Sequence, residues 1–220
     1  MILKITFEDI KNNSAVKAYI QKADESLTAL GFTEHSFAHV TKVATTAAEI
    51  LRTLGHSDHE IELVKIAGYL HDIGNIVNRV DHAQSGAVMA FRLLDNMGAD
   101  PDDIATIITA IGNHDESTAF PVNSVAAALI IADKTDVRRS RVRNRSIQSF
   151  DIHDRVNYSV TRSEVLITEG DICLDLTIED EMCTVLEYFE IFLQRMLLCK
   201  KAAEALGVTF SLVINGQTMM

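Results

Sequence analysis

The sequence lacks tryptophan, and its aromatic residues make up only 6% of 220 residues. A platform of aromatic side chains for stacking nucleic-acid bases is therefore not expected. Only 2 prolines are present, which favours long uninterrupted helices because proline breaks helix interiors. Glycine is also sparse, at 10 residues, so collagen-like and low-complexity chains are excluded.

The chain is equally poor in cysteine and in long apolar runs. Its 3 cysteines show no C-x-x-C spacing, which argues against a disulfide framework or a thiolate zinc site and fits a reducing cytoplasm. The N-terminal segment, residues 1–13, has no long apolar core and does not resemble a signal peptide. The longest clean apolar run, Val125–Ala132, is too short to span a bilayer. We therefore expect a cytoplasmic protein without a membrane partner.

Acidic residues outnumber basic residues in this chain. Lys and Arg total 20 against 31 Asp and Glu, which gives a formal charge of -11. Such an acidic surface disfavours general nucleic-acid binding, because it repels phosphate backbones. Hydrophobic residues make up 47% of the chain and charged residues 23%, a balance that supports a sizeable globular core. A small anionic substrate stays compatible with this composition where positive charge is concentrated locally.

The hydropathy pattern divides the chain into two parts. Periodicity and capping signals predict a short strand over 2–7 and then helices over 14–30, 35–54, 57–73, 81–94, 100–112 and 122–137. After residue 150, period-two alternation predicts strands over 158–167, 172–178 and 208–214, with a long apolar helix over 180–206. The expected fold is mainly α: a helical domain over 1–150 and a small α+β extension over 151–220. Because no flexible linker is evident, we expect this ββαβ unit to pack on the bundle.

Histidine and aspartate concentrate at the edges of the predicted helices. His71 and Asp72 end an apolar helix just before a glycine, and Asp133 follows eight apolar residues. Imidazole nitrogens and carboxylate oxygens are ligands for divalent transition metals. A buried His-Asp pair at a helix end would be costly without a metal or another partner. His39, His82 and His114 also lie at positions that favour the interior or a helix edge.

Five short elements carry these residues in a fixed order. They are His39-x-x-Lys42-Val43 with Leu54-Gly55, Leu70-His71-Asp72-Ile73-Gly74, His82-Ala83-Gln84-Ser85-Gly86, Asn113-His114-Asp115-Glu116 and Ile130-Ile131-Ala132-Asp133-Lys134. Together, over about residues 33–145, they resemble the HD-domain superfamily of metal-dependent phosphohydrolases, and within it the HDIG-type hydrolases. Many relatives have a lysine directly after the H-D-I-G motif, where this chain has Asn75. The residues after 150 have no part in the resemblance.

The resemblance implies an HD-domain helical bundle with a divalent metal centre. One ion would be held by His39, His71, Asp72 and Asp133. A second ion would be held by His82 and His114, with Asp72 as the bridge. Mn, Fe, Co, Ni and Zn all suit this donor set. Two ions would activate water as the attacking hydroxide and clamp the phosphoryl oxygens, so no protein nucleophile is needed.

Positive charge follows this site directly. Six basic residues lie within twelve positions: Lys134, Arg138, Arg139, Arg141, Arg143 and Arg145. Arginine forks bind phosphate oxygens bidentately, so Lys134, Arg138 and Arg139 are candidate substrate-binding residues. The alternative is a solvated basic loop that pairs with acids such as Glu179. Asp72, Lys134 and His35, one helical turn before His39, are the candidate catalytic residues.

The leading hypothesis is a metal-dependent phosphohydrolase, a phosphomonoesterase or phosphodiesterase, that acts on a nucleotide or another small phosphate ester. One alternative is a non-catalytic HD-type module for ligand binding or signalling. A second is a di-iron HD-type oxygenase, since both enzyme classes use the same six ligands. The very apolar helix over 180–206 must be covered by the small sheet or by a second subunit, and we expect a homodimer.

Overall fold

The computed structural model describes residues 5–144, 146 and 150–220, and it confirms a mainly helical fold with a small sheet. Seven α-helices precede residue 140 in the described part of the chain: α1 (Phe7–Asn12), α2 (Ser14–Ala29), α3 (Phe37–Thr53), α4 (Asp58–Leu70), α5 (His82–Met97), α6 (Pro101–Gly112) and α7 (Ser124–Lys134). Short 3-10 turns over Ile73–Ile76 and Arg139–Arg141 follow α4 and α7.

The helices begin where local sequence signals place them. The Ser57 side chain accepts a hydrogen bond from the Glu60 backbone N–H, and the Glu60 carboxylate accepts one from the Ser57 backbone N–H, which forms a capping box at the start of α4. At α6 the Asp100 side chain accepts a hydrogen bond from the Asp102 backbone N–H, and Pro101 occupies the first helical position. These caps satisfy backbone N–H groups that have no partner within the helix.

Helix α7 lies at the centre of the bundle. Every residue from Val125 to Ala132 is buried, and α7 contacts α3, α4, α6 and α9 (Val185–Ala205). A helix that is apolar all round needs such cover on every side. None of the helices in the described ranges combines the length and the apolar character that crossing a bilayer requires.

The C-terminal part adds two helices and a mixed sheet. It contains α8 (Ile152–Ser159), β1 (Val160–Ile167), β2 (Asp171–Ile178), α9, β3 (Thr209–Ile214) and β4 (Gln217–Thr218). The strand order is β1-β2-β3-β4, with β2 and β3 parallel and the outer pairs antiparallel. Helix α9 forms the crossover between β2 and β3 and packs on the sheet and on α7. The expected packing of this unit on the bundle is therefore observed, and the domain boundary at 150 stays a prediction.

Helix α9 is only partly covered by these contacts. Tyr188, Phe192 and Met196 are buried, whereas Leu193 and Leu197 are more than two fifths exposed. The sheet and α7 thus account for one side of this apolar helix. The homodimer stays a prediction.

Four predicted elements need correction. The predicted strand over 2–7 lies partly outside the described residues, and Phe7 begins α1 because Thr6 and Asp9 form a capping box. The predicted strand start at Tyr158 is wrong, since α8 runs to Ser159. The predicted helices over 122–137 and 180–206 are shorter in the structure, at 124–134 and 185–205.

Candidate metal centre

Six side chains converge where several helices begin or end. They are His39 in the first turn of α3, His71 and Asp72 directly after α4, His82 at the start of α5, His114 after α6 and Asp133 near the end of α7. Five of them are buried. The structure thus brings together all six residues that the sequence proposed as metal ligands.

Four of these side chains form one side of the cluster. His39 Nε2 lies 3.6 Å from Asp72 Oδ2 and 3.4 Å from Asp133 Oδ1. His71 Nε2 lies 3.2 Å from Asp72 Oδ2 and 3.7 Å from Asp133 Oδ1. Two imidazole nitrogens and two carboxylate oxygens therefore face one another across a small space.

The other two histidines extend the cluster past Asp72. His82 Nε2 lies 3.2 Å from His114 Nε2 and 3.6 Å from Asp72 Oδ1. The two oxygens of Asp72 thus face different histidines. Three overlapping groups, each with its ligand atoms within 4.8 Å, combine the six residues: His39–His71–Asp72, His71–His114–Asp133 and Asp72–His82–His114.

Hydrogen bonds fix which ring nitrogen each histidine presents. Nδ1 of His71 lies 2.7 Å from the Gly68 carbonyl oxygen, and Nδ1 of His114 lies 2.6 Å from that of Ile111. Because a carbonyl oxygen only accepts, Nδ1 donates and Nε2 keeps its lone pair. His82 makes the same contact with the Arg79 carbonyl oxygen at 3.0 Å.

His39 is held by a carboxylate instead. Its Nδ1 lies 2.7 Å from Asp136 Oδ2. Asp136 is buried and also contacts Lys42 Nζ at 2.9 Å and Arg138 Nε at 2.9 Å. Such a partner fixes the ring orientation and raises the basicity of the nitrogen that faces a metal. Sequence reasoning missed this role, although Asp136 lies three residues after Asp133 on the same chain segment.

Three buried atoms of the cluster have no hydrogen-bond partner: His39 Nε2, His71 Nε2 and Asp72 Oδ2. Leaving buried polar atoms unsatisfied costs about 1–3 kcal/mol each. A divalent cation would satisfy all three at once, since imidazole nitrogens and carboxylate oxygens are ordinary ligands for such ions. The donor set therefore fits a divalent metal ion.

All but one of the resolved pKa shifts in the cluster agree with this donor chemistry. The exception is His71: although burial opposes protonation, Asp72 and Asp133 raise its pKa. Burial lowers the pKa of His114 to about 3. Burial also lowers the pKa of His82. Although burial opposes ionisation of Asp72, its contacts with His71 hold the pKa of Asp72 well below its usual range. Neutral imidazole and ionised carboxylate are the forms that bind metal.

A cavity of about 420 Å³ opens beside the cluster. Its walls include the proposed ligands Asp72, His82, His114 and Asp133. Lys134 and His35 also line it, as their candidate catalytic roles require. Lys134 is buried, and its Nζ lies 2.7 Å from Asp133 Oδ2. The ammonium group thus adjoins the cluster.

The structure does not place Arg138 and Arg139 on this wall. Arg138 Nη2 pairs with Glu34 Oε2 at 2.9 Å, in addition to its contact with Asp136. Arg139 Nη2 pairs with Glu179 Oε2 at 2.6 Å. The proposal that these two arginines bind substrate is therefore corrected: their charges are used in ion pairs between segments of the chain. Arg145 lies outside the described residues.

Other basic residues line the cavity in their place. They are Arg79, Arg141 and Arg195. Arg141 was visible as part of the basic stretch, whereas Arg79 and Arg195 stand alone in the sequence. No local motif identifies them, because only the tertiary fold brings 79 and 195 together.

Comparisons with known proteins find sequence similarity to this chain. Residues 36–144 match the family model described as HD domain. The uncharacterized protein MJ1020 of Methanocaldococcus jannaschii is 25% identical over 193 residues, an alignment that covers 77% of this chain and 73% of that protein. A predicted HD superfamily hydrolase from an uncultured Thermotogales bacterium, solved by crystallography, is 27% identical and matches with a TM-score of 0.45 over 56% of this chain and 67% of its own. The segment that matches the family model contains all six clustered residues.

Proposed function

Because residues 36–144 belong to the HD-domain family, we propose that the protein is a metal-dependent phosphohydrolase acting on a nucleotide or another small phosphate ester. One observation carries the proposal. Imidazole nitrogens and carboxylate oxygens of the cluster converge beside a cavity of about 420 Å³. Lys134 also lines this cavity. This arrangement suits a ligand whose anionic group faces both a metal centre and an ammonium group.

The chemistry divides between the centre and the residues around it. A divalent ion in this donor set would lower the pKa of water and stabilise negative charge on phosphoryl oxygens. Lys134 presents a cation beside Asp133 and stabilises the same oxygens from the protein side. Asp136 holds the His39 ring in one orientation, which keeps its Nε2 directed at the cluster.

His35 receives a narrower role than the sequence suggested. Its Nδ1 lies 2.7 Å from the Thr33 carbonyl oxygen, so Nδ1 donates and Nε2 is left as an acceptor. Burial lowers the pKa of His35 well below its ordinary value. A neutral His35 ring holds its one proton on Nδ1, at the Thr33 carbonyl oxygen, and would meet substrate or water only as an acceptor through Nε2.

Metal analysis and a phosphatase screen test the proposed function together. We expect protein purified without chelator to contain a divalent transition metal. It should release inorganic phosphate from members of a panel of nucleotides and sugar phosphates in the presence of Mn, Fe, Co, Ni or Zn. Dialysis against a chelator should remove the activity, and one of these metals should restore it. A metal-loaded protein inactive on the whole panel would contradict the proposal, and oxygen consumption with a di-iron content would favour the oxygenase.

We further propose that the centre binds two ions. Asp72 directs Oδ2 at His71 and Oδ1 at His82, so one carboxylate faces both halves of the cluster. The pairing of His82 with His114 gives the second half two neutral imidazoles. A centre with one ion would leave these two rings without a ligand role.

Metal stoichiometry tests the two-ion proposal. We expect about two ions per chain in the wild type and about one in the double variant His82→Ala, His114→Ala. His39, His71 and Asp133 keep their positions in this variant, since they belong to other segments of the chain. The measurement is elemental analysis after removal of free metal, and His59→Ala, at an exposed histidine of α4, serves as the control. One ion in both the wild type and the double variant would refute the proposal.

A further inference from the structure

The C-terminal part of the chain builds one wall of the cavity. Helices α8 and α9 contribute five lining residues: His153, Asp154, Asn157, Phe192 and Arg195. All of them lie beyond residue 144, where the family match ends. The cavity is therefore lined both by the segment that matches the family model and by a segment beyond it.

Arg195 is the basic residue that this segment brings to the cavity. Its guanidinium carbon lies 4.6 Å from the centre of the Phe192 ring, one helical turn earlier in α9. Its Nε lies 2.6 Å from Glu116 Oε1. Stacking on one face and a carboxylate at one edge hold a guanidinium in a fixed orientation.

Short contacts connect Arg195 to the metal cluster. Glu116 Oε1, which faces Arg195, also lies 3.6 Å from Lys134 Nζ. Lys134 Nζ in turn lies 2.7 Å from Asp133 Oδ2. Two cations therefore flank one carboxylate at the edge of the cluster, on the wall of the cavity.

We propose that Arg195 binds the phosphate of the substrate together with Lys134, an inference that rests on the proposed phosphohydrolase function. The buried Nε of Arg195 faces Glu116 Oε1 at 2.6 Å, whereas neither terminal Nη group has a hydrogen-bond acceptor among the described residues. Arg195 lines the cavity, so these Nη groups are the donors that can meet a phosphoryl oxygen there. Two parallel N–H donors of a guanidinium suit phosphate oxygens.

Arg138 and Arg139 differ from Arg195 in their hydrogen-bond partners and in their position relative to the cavity. Arg138 donates to Asp136 and Glu34, and Arg139 donates to Glu179. Their guanidinium groups already have carboxylate acceptors in hydrogen-bond geometry. Arg195 pairs with Glu116 through Nε alone, and it lines the cavity, which Arg138 and Arg139 do not, so we assign the anion-binding role to α9.

The test measures phosphate binding directly. Inorganic phosphate is titrated calorimetrically into Mn-loaded protein after free metal has been removed. We expect Arg195→Gln to weaken phosphate binding by about 10-fold or more and to leave metal content unchanged. Lys200→Gln removes one positive charge from an exposed position of the same helix and should bind phosphate as the wild type does.

Each outcome has a separate meaning. Wild-type protein that binds metal but no phosphate would overturn the proposed function, and this inference with it. Wild-type protein that binds phosphate, with Arg195→Gln equally tight, would overturn the role of Arg195 alone. Should Arg195→Gln not fold, as shown by circular dichroism, Arg195→Lys takes its place. We expect several-fold weaker binding in that variant because a point charge replaces the fork, and unchanged affinity would refute the proposal.

Discussion

Replacing Asp72 by alanine is expected to abolish metal binding and hydrolysis together. Asp72 is only 5% exposed, and its two oxygens face His71 and His82 at 3.2 Å and 3.6 Å. The variant removes the carboxylate whose two oxygens face histidines of both halves of the cluster. Because metal chemistry contributes several kcal/mol to such reactions, the rate of phosphate release should fall by about 10³-fold or more.

The measurement combines elemental analysis with the phosphate-release assay. Metal content should fall to near zero, whereas the helical circular dichroism should stay that of the wild type, because Asp72 lies beyond the last residue of α4. Asp95→Ala is the matched control, because Asp95 is an exposed carboxylate of α5 that pairs with Arg92 only at 3.8 Å. Normal metal content and normal turnover in Asp72→Ala would contradict the hydrolase proposal.

The convergence of the six histidine and aspartate residues is the feature of the molecule that the sequence predicted best. His71 and Asp72 lie in one short motif, and the other four residues lie at the ends of periodic helices with clear start or stop signals. A helix end fixes where the next side chain emerges, so periodicity and caps place such residues with little further information. The bundle was predictable for the same reason.

The residues that surround the cluster were harder to predict. Arg195 reaches the cavity because α9 packs against α7, and the packing of two distant helices is not encoded in either helix alone. Arg138 and Arg139 were favoured by local charge density, but the acids that neutralise them, Glu34 and Glu179, come from remote segments. Local composition therefore overestimates the positive charge that is free to meet a ligand.

Gly74→Ala is expected to be the most destabilising single substitution near the cluster. A Cβ at this position would lie 2.0 Å from the His82 carbonyl oxygen, 2.5 Å from the Gly86 backbone nitrogen and 2.8 Å from Ser85 Oγ. Two of these atoms are backbone, so no side-chain rotation relieves the clash. Helix α5 would have to move away from the turn that carries Asp72, and overpacking of this kind costs about 3 kcal/mol or more.

The same close approach explains why glycine at this position matters for the metal centre. Helix α5 begins with His82, so a displacement of α5 would move His82 Nε2 away from His114 and Asp72. We therefore expect Gly74→Ala to lower the free energy of unfolding, measured by urea titration, and to lower the metal content of whatever protein folds. The position of the His82 ring, as well as the stability of the helical bundle, therefore depends on the absence of a Cβ at Gly74.

Gly112→Ala separates this explanation from a general intolerance of added methyl groups. Gly112 lies two residues before His114, as Gly74 lies two residues after Asp72, but a Cβ there would meet only Ala87 Cβ at 3.7 Å. That distance is an ordinary van der Waals contact, so the change in stability should stay within about 0.5 kcal/mol and the metal content should be that of the wild type. Equal stability of the two variants would show that α5 does not depend on contact with Gly74. A loss in Gly74→Ala alone would tie the position of His82 to the glycine of the His-Asp motif.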